Sequence, residues 1–220
     1  MYGYIEEGKK DSIERRQVLG MWFLAATLPT EGIFCSIRRR RVWRTLQKAG
    51  VRRAVMSEAL TEEASSWGIA PVEVFPLRRA LLPQLLDLLP SLQGKTAALT
   101  APCLTTDVEM AACFLARRCR YLRVEVGRGR EELAQRLYCR FGLTVGAVGE
   151  PTVSICFHGT AEGRYLCLGE DCAAYQEVTY TVAELEKMGI IPQEMLLAAL
   201  FEGGYLPKEA ICVKSIGTKP

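Results

Sequence analysis

A strand–helix–strand–helix–strand rhythm across residues 95–148 constrains this chain more than any other stretch. Residues 96–100 (TAALT) are a short apolar run between Gly94 and Pro102. Thr106-Asp107-Val108-Glu109 then reads as a capping box, in which the Thr hydroxyl accepts from the N–H three residues on and the Glu carboxylate reaches back to the cap. Val108, Ala111, Ala112, Leu115 and Cys119 recur at three-and-four spacing, one apolar stripe of a helix. Residues 121–126 (YLRVEV) are rich in β-favouring side chains, and Gly127 and Gly129 punctuate them. Leu133, Ala134, Leu137 and Phe141 mark a second helical stripe that Gly142 ends, and residues 143–148 (LTVGAV) read as the next strand.

The same alternation extends upstream. Residues 22–28 read as a strand closed by Pro29, and residues 37–49 as a helix with Ser36 at its N-cap and Val42, Trp43, Leu46 and Ala49 on its apolar side. Strands are expected over 51–57 and 70–75 around a short helix at 61–67 with a Thr cap and a stop at Gly68. A helix over 82–89 tolerates Pro83 because it falls in the first turn. Residues 1–17 are polar, so 2–5 is expected to be an edge strand or else part of a loose arm. Six expected strands and five helices favour one doubly wound, mostly parallel α/β sheet of Rossmann-like order 3-2-1-4-5-6.

After Pro151 the pattern changes. Residues 152–157 and 164–168 suggest a hairpin, 176–181 a strand, 182–188 and 192–202 two helices, and 210–214 a last edge strand. The expected organisation is therefore a Rossmann-like domain over 1–150 and an antiparallel α+β extension over 151–220, packed on the same sheet. A segment of about 70 residues would build only a marginal core alone.

Of the 220 residues, 49% are hydrophobic and 24% charged, ordinary for a globular protein. Net charge is +3, too small by itself to indicate nucleic acid, but it divides as +6 over residues 1–60, +1 over 61–150 and −4 over 151–220. Ends of opposite sign could attract within one molecule or between two subunits. Nine cysteines, an odd number scattered through apolar runs, fit reduced, buried thiols in a cytoplasmic protein. Residues 18–28 follow four basic residues and imitate a signal peptide, but they are too short to span a bilayer and Ala25-Ala26-Thr27 is a poor cleavage site. Neither secretion nor a membrane partner is expected.

Ligands of doubly wound sheets sit beyond the carboxyl ends of the strands, where strand order reverses. Here that directs attention to residues 28–36 and 100–106. The strand–helix order resembles that of dinucleotide-binding domains, but their G-x-G-x-x-G fingerprint is missing, since the first loop offers only Gly32. Gly127-Arg128-Gly129 lacks the third glycine and reads first as a strand-to-helix turn. Glu58 stands where a ribose-binding acid would sit. Arg38 and Arg39 open the run Arg38-Arg39-Arg40-Arg41, where they either hold an anion at a helix N-terminus or decorate a solvated face. Arg78, Arg79, Arg128 and Arg130 also fall near expected strand ends, which suggests a broadly basic rim. The expected site is Thr27, Gly32, Ser36, Arg38, Arg39, Glu58, Cys103, Thr105 and Thr106, holding a small nucleotide- or phosphate-like anion.

Other chemistries find less support. Cys35-x5-Arg41 has the spacing of a cysteine phosphatase loop but no glycine to wrap an oxyanion. His158, the single histidine, lies near Cys156, Cys167 and Cys172, without the compact pairs of a zinc knuckle. No G-x-S-x-G elbow is present. Glu62-Glu63 and Glu131-Glu132 fall in first helical turns, where they complement helix dipoles. No metal is expected, no cofactor is assigned, and the sequence leaves open whether the protein is an enzyme. The alternative is a non-catalytic scaffold that forms a homodimer through its basic front and acidic C-terminal surfaces. No nucleic-acid partner is expected: the strongest candidate, residues 38–53, lacks the regular aromatic interleaving or the recognised module of such a site.

Overall fold

The computed structural model describes residues 1–146, 149–159, 164–169 and 177–217. The chain divides into two compact units. The first takes Met1–Leu77 and Thr181–Ile211, and the second takes Arg78–Tyr180 and the C-terminal residues from Cys212 on. The boundary expected at 150 falls inside the second unit, and residues 151–220 contribute to both. The class is α/β, but the strands form separate sheets instead of one sheet in the order 3-2-1-4-5-6.

In the first unit β1 (Tyr2–Gly8), β2 (Ser12–Val18), β3 (Met21–Pro29), β4 (Arg53–Val55) and β5 (Ala70–Pro71) form a mixed sheet of order β2-β3-β1-β4-β5. β2 and β3 make an antiparallel hairpin, and the other neighbours are parallel. The expected edge strand or loose arm is thus the central strand. Tyr2 is in register with Phe23 on one side and Arg53 on the other. Gly3 makes this approach possible, since a Cβ there would lie 3.0 Å from the Ala54 Cβ and from Val51. Ile5 joins Leu24, Ala26, Leu28 and Ala54 in a core with Val42, Trp43 and Leu46 of α1 (Cys35–Lys48) and Ala64 of α2 (Thr61–Ser66). On the opposite face the Tyr4 and Phe23 rings meet edge to face at 6.4 Å. The strand expected over 70–75 shrinks to two residues, because Phe75 already begins α3 (Phe75–Ala80).

α4 (Leu82–Asp87), with Pro83 in its first turn, leads to the second unit's sheet. There β6 (Thr96–Cys103), α5 (Thr106–Ala116), β7 (Tyr121–Arg128) and α6 (Arg130–Phe141) follow the expected rhythm. Val108, Ala111, Ala112, Leu115, Leu133 and Leu137 are buried on the inward stripes. Of the strand expected over 143–148, residues 143–146 contribute one parallel bridge, Val145 to Leu122, and residues 147–148 lie outside the described residues.

β8 (Val153–Cys156) and β9 (Arg164–Cys167) are parallel neighbours, not the expected hairpin, and the all-parallel sheet runs β7-β6-β8-β9. Their shortness permits this. A four-residue strand rises about 13 Å, and the seven residues between them can span about 23 Å. β10 (Val178–Thr181) and β11 (Cys212–Ile216) form a small antiparallel pair, whose Thr179 and Ser215 hydroxyls lie 2.6 Å apart. In the first unit α7 (Ala183–Lys187) and α8 (Glu194–Glu202) match the expected helices, and α8 reaches β4 through an Arg53–Glu202 ion pair at 2.5 Å. No helix of the described residues is long and apolar enough to cross a membrane.

Central strands of a sheet exchange their amide protons slowly, because both neighbours hold the backbone. Hydrogen exchange is expected to show the Tyr4 and Ile5 amides as protected as those of Leu24 and Ala26. Exchange within seconds, as in a loose N-terminal arm, would contradict the sheet order.

Candidate functional site

The expected site residues fall in two places. Thr27, Gly32, Ser36, Arg38, Arg39 and Glu58 belong to the first unit, and Cys103, Thr105 and Thr106 to the second.

In the first unit Gly32 turns the chain at φ +114°, so that the Cys35 N–H bonds its carbonyl at 3.1 Å and α1 starts one residue before Ser36. Phe34, not Ser36, is the N-cap, and Ser36 lies exposed in the first turn. The Thr27 hydroxyl accepts from Ser12 at 3.0 Å. Glu58 is exposed in a short 3₁₀ turn, Glu58–Leu60. Arg38 donates to Asp11 Oδ1 at 3.3 Å and to the Glu31 carbonyl at 3.0 Å. Arg39 holds both Glu63 oxygens and donates to Glu7 Oε1 at 2.9 Å and the Pro29 carbonyl at 3.3 Å. Trp43 Nε1 donates to the same Glu63 at 2.8 Å. Both arginines therefore face carboxylates of their own unit. Glu63, first through the hydrogen bonds it accepts from Arg39 and further through Trp43, is held below its ordinary pKa of 4.5, and the bonds Arg39 donates to Glu63 hold Arg39 above its own.

The second unit gathers the remaining three differently. The β6–β7 pairing sets Cys103 beside Arg128 at the carboxyl ends of both strands. The loops beyond are joined, since the Leu104 N–H donates to the Arg128 carbonyl at 2.8 Å. Two glycines admit this join. A Cβ on Gly127 would lie 2.5 Å from the Pro102 carbonyl oxygen, and one on Gly129, at φ +87°, would lie 2.7 Å from the Leu104 Cβ. The G-x-G is thus a strand-to-helix turn, and each glycine faces protein.

The join sets the N-termini of α5 and α6 side by side. Thr105 is the N-cap of α5, extended at φ −124°, and its hydroxyl accepts from the Val108 N–H at 3.3 Å. The expected cap on Thr106 is therefore displaced to Thr105, and with Val108 three residues on, the carboxylate half of the expected box does not form. Glu109 instead receives Arg136 at 2.5 Å and Arg140 at 3.2 Å from α6, while Arg136 also holds Glu132 at 2.5 Å. These two carboxylates, Glu109 first, raise the Arg136 pKa. Cys103, Leu104, Thr105, Thr106, Glu109, Arg128, Gly129, Glu132 and Arg136 line a cleft of about 470 Å³. Arg128 is exposed, and its guanidinium makes no hydrogen bond or ion pair among the described residues. Sequence reasoning placed Arg128 on a basic rim but did not join it to Thr105, because the join depends on strand register. The signal available was the pair of glycines at 127 and 129.

Cys156 and Cys167 are buried and in register across β8 and β9, and exposed His158 follows β8. Cys172 lies outside the described residues. Among the described residues no three His, Cys, Asp or Glu side chains are grouped to hold a metal.

No family model matches the chain, and no curated protein matches it. Among solved structures the chain is similar to L-tryptophan dehydrogenase from Nostoc punctiforme, at 13% identity and a TM-score of 0.33. The match covers 84% of this chain and 65% of that one, so the chain spans less than two thirds of the other's length.

Two substitutions test this geometry. A carboxylate whose folded pKa is depressed stabilises the fold above its unfolded value and loses that contribution as pH falls through the folded one. Glu63→Gln should lower stability by about 1 kcal/mol at pH 7, the low end for bonds to charged groups given the partial exposure of the pair. In urea denaturation the difference from the wild type should shrink below the ordinary value of 4.5. Gly127→Ala, which drives a methyl into the Pro102 carbonyl, should cost about 1–3 kcal/mol, as overpacking does. A melting temperature equal to that of the wild type would show that the loops do not need their close approach.

Proposed function

We propose that this protein binds a small phosphate-bearing anion, of nucleotide or sugar-phosphate type, in the cleft at the carboxyl ends of β6 and β7. The observation that carries this reading is Arg128, a guanidinium with no partner among the described residues, beside two helix N-termini. The first N–H groups of a helix have no partner within it, and the helix dipole favours negative charge there. In α6 the first intrahelical donor is the Leu133 N–H, bonded to the Gly129 carbonyl, so the first-turn amides before it are available. The Thr105 hydroxyl accepts one bond from Val108 and still has its proton to donate, and Thr106 stands beside it.

Location and size support the same reading. In open parallel sheets ligands sit beyond the strand carboxyl ends, near a reversal of strand order. Here β6 is flanked by β7, which follows it in sequence, and by the later β8. A volume of about 470 Å³ suits a mononucleotide-sized molecule. Arg136 and Arg140 together offset Glu109 and Glu132, so these acids do not leave the cleft anionic. They can accept from sugar hydroxyls while the phosphate faces Arg128. The Arg38–Arg39 half of the expected site, already facing carboxylates, adds less to this reading.

Thermal-shift measurements with AMP, ATP, pyrophosphate and sugar phosphates test it. A ligand at a hundred times its dissociation constant adds about 2.7 kcal/mol, or about 5–10 °C for a chain of this size. Arg128→Gln should weaken that ligand at least tenfold while leaving the unliganded melting temperature unchanged. A flat response across the whole set would reject the reading.

A further inference from the structure

The opposite rim of the same sheet, where β6 and β7 begin, carries a second cationic surface. Eight-residue strands set it about 25 Å from the cleft. The Arg120 N–H donates to the Lys95 carbonyl at 2.9 Å, which brings Lys95 beside the turn after α5. That turn holds Arg117, Arg118 and Arg120, all exposed, as is Lys95. Each of the three arginines lies over an aromatic ring. Arg118 is 3.7 Å from the Phe114 centroid, Arg120 is 5.2 Å from Tyr121, and Arg117 is 5.5 Å from Phe141 at the end of α6. Of the four cations only Arg118 has a carboxylate, Asp87 at 3.3 Å. Lys95, Arg117 and Arg120 have none among the described residues.

We infer that this rim docks single-stranded nucleic acid. The three cations without carboxylate partners match the repeating phosphates of a strand. The guanidinium–ring pairs supply the flat faces on which unpaired bases stack, and the combination of positive groove and stacking platform is what single-strand binders use. The two features are interleaved within residues 114–121, whereas the one aromatic among residues 38–53, Trp43, is buried. An acidic peptide would meet the charges but not the stacking faces. A bilayer surface would need apolar side chains free to insert, whereas guanidinium groups lie over the rings here.

The test is fluorescence anisotropy of a labelled oligothymidylate 15-mer with the full chain, beside a duplex of equal length and vesicles containing anionic lipid. With three cations engaged, the affinity for the single strand should fall about tenfold between 50 and 150 mM salt, from a logarithmic slope of about −0.7 per phosphate neutralised. The combined variant K95Q, R117Q, R120Q should weaken binding at least tenfold and flatten that slope. Lys95→Glu alone, which leaves every ring pair intact, should weaken it several-fold, so a folding defect in the triple variant does not decide the matter. Tyr121→Ala should weaken the single strand and leave the salt slope unchanged. Absence of single-strand binding at 50 mM salt overturns the inference. So does unchanged binding by the lysine variant, or binding to duplex or vesicles in preference to the single strand.

Discussion

The pairing of β6 with β7 organises the second unit from end to end. Its parallel register runs from Thr96 opposite Tyr121 to Cys103 opposite Arg128. At the carboxyl end it places two strand-to-helix turns next to each other, and the Leu104-to-Arg128 backbone bond holds them there. At the amino end the same pairing brings Lys95 against Arg120 and Tyr121. A register shift of one residue would turn every side chain of β7 to the other face. Leu122, Val124 and Val126 would leave the core, and neither rim would survive. Burial of those three side chains therefore specifies the surface chemistry at both ends.

The arginines divide by what lies within reach of them. Arg38 and Arg39, which begin the densest basic run, are engaged by Asp11, Glu7 and Glu63. Arg136 and Arg140 hold Glu109. Among the described residues Arg128 has no such partner, and the Arg117 and Arg120 side chains have only rings. A guanidinium that already holds a carboxylate must give up that bond to accept an external anion, whereas an unpaired one loses only water. Exposed ion pairs are weak, so the difference per residue is small. It nonetheless directs attention away from the arginine-richest helix and toward the ends of one sheet.

Local pattern made α5, α6, β6 and β7 legible, because helical spacing and short β-branched runs are properties of neighbours in sequence. β1 was hidden for a physical reason. A parallel central strand shows itself as a continuous apolar run, but residues 2–8 contain two glycines and end in two carboxylates. Gly3 gives up a side chain so that Val51 and Ala54 can approach, and Glu7 extends beyond the core to reach Arg39. The division into two sheets was hidden as well. β5 is only two residues long, and Phe75, a side chain that favours strands, begins α3 instead. For β8 and β9 the spacing of a hairpin also suits a short parallel return, so only pairing distinguishes them. Cys103, Thr105 and Thr106 were legible because they follow a clear strand and precede a clear helix. Arg128 became their neighbour through register alone.

The glycines at 127 and 129 bear on how such a cleft can hold a ligand. In the dinucleotide fingerprint, glycine lets bare backbone approach a pyrophosphate. Here the space that each glycine leaves is filled from within, by the Pro102 carbonyl and by Leu104. The residue between them, Arg128, then stands on a turn that cannot shift without breaking those contacts. Under the proposed reading the loss of backbone access at this turn is offset by a guanidinium carried on a held backbone and by the first-turn amides of two helices. A dinucleotide needs a long glycine-lined path for its two phosphates, and this turn does not offer one. A single phosphate group needs only a few converging donors, and the joined ends of α5 and α6 supply them.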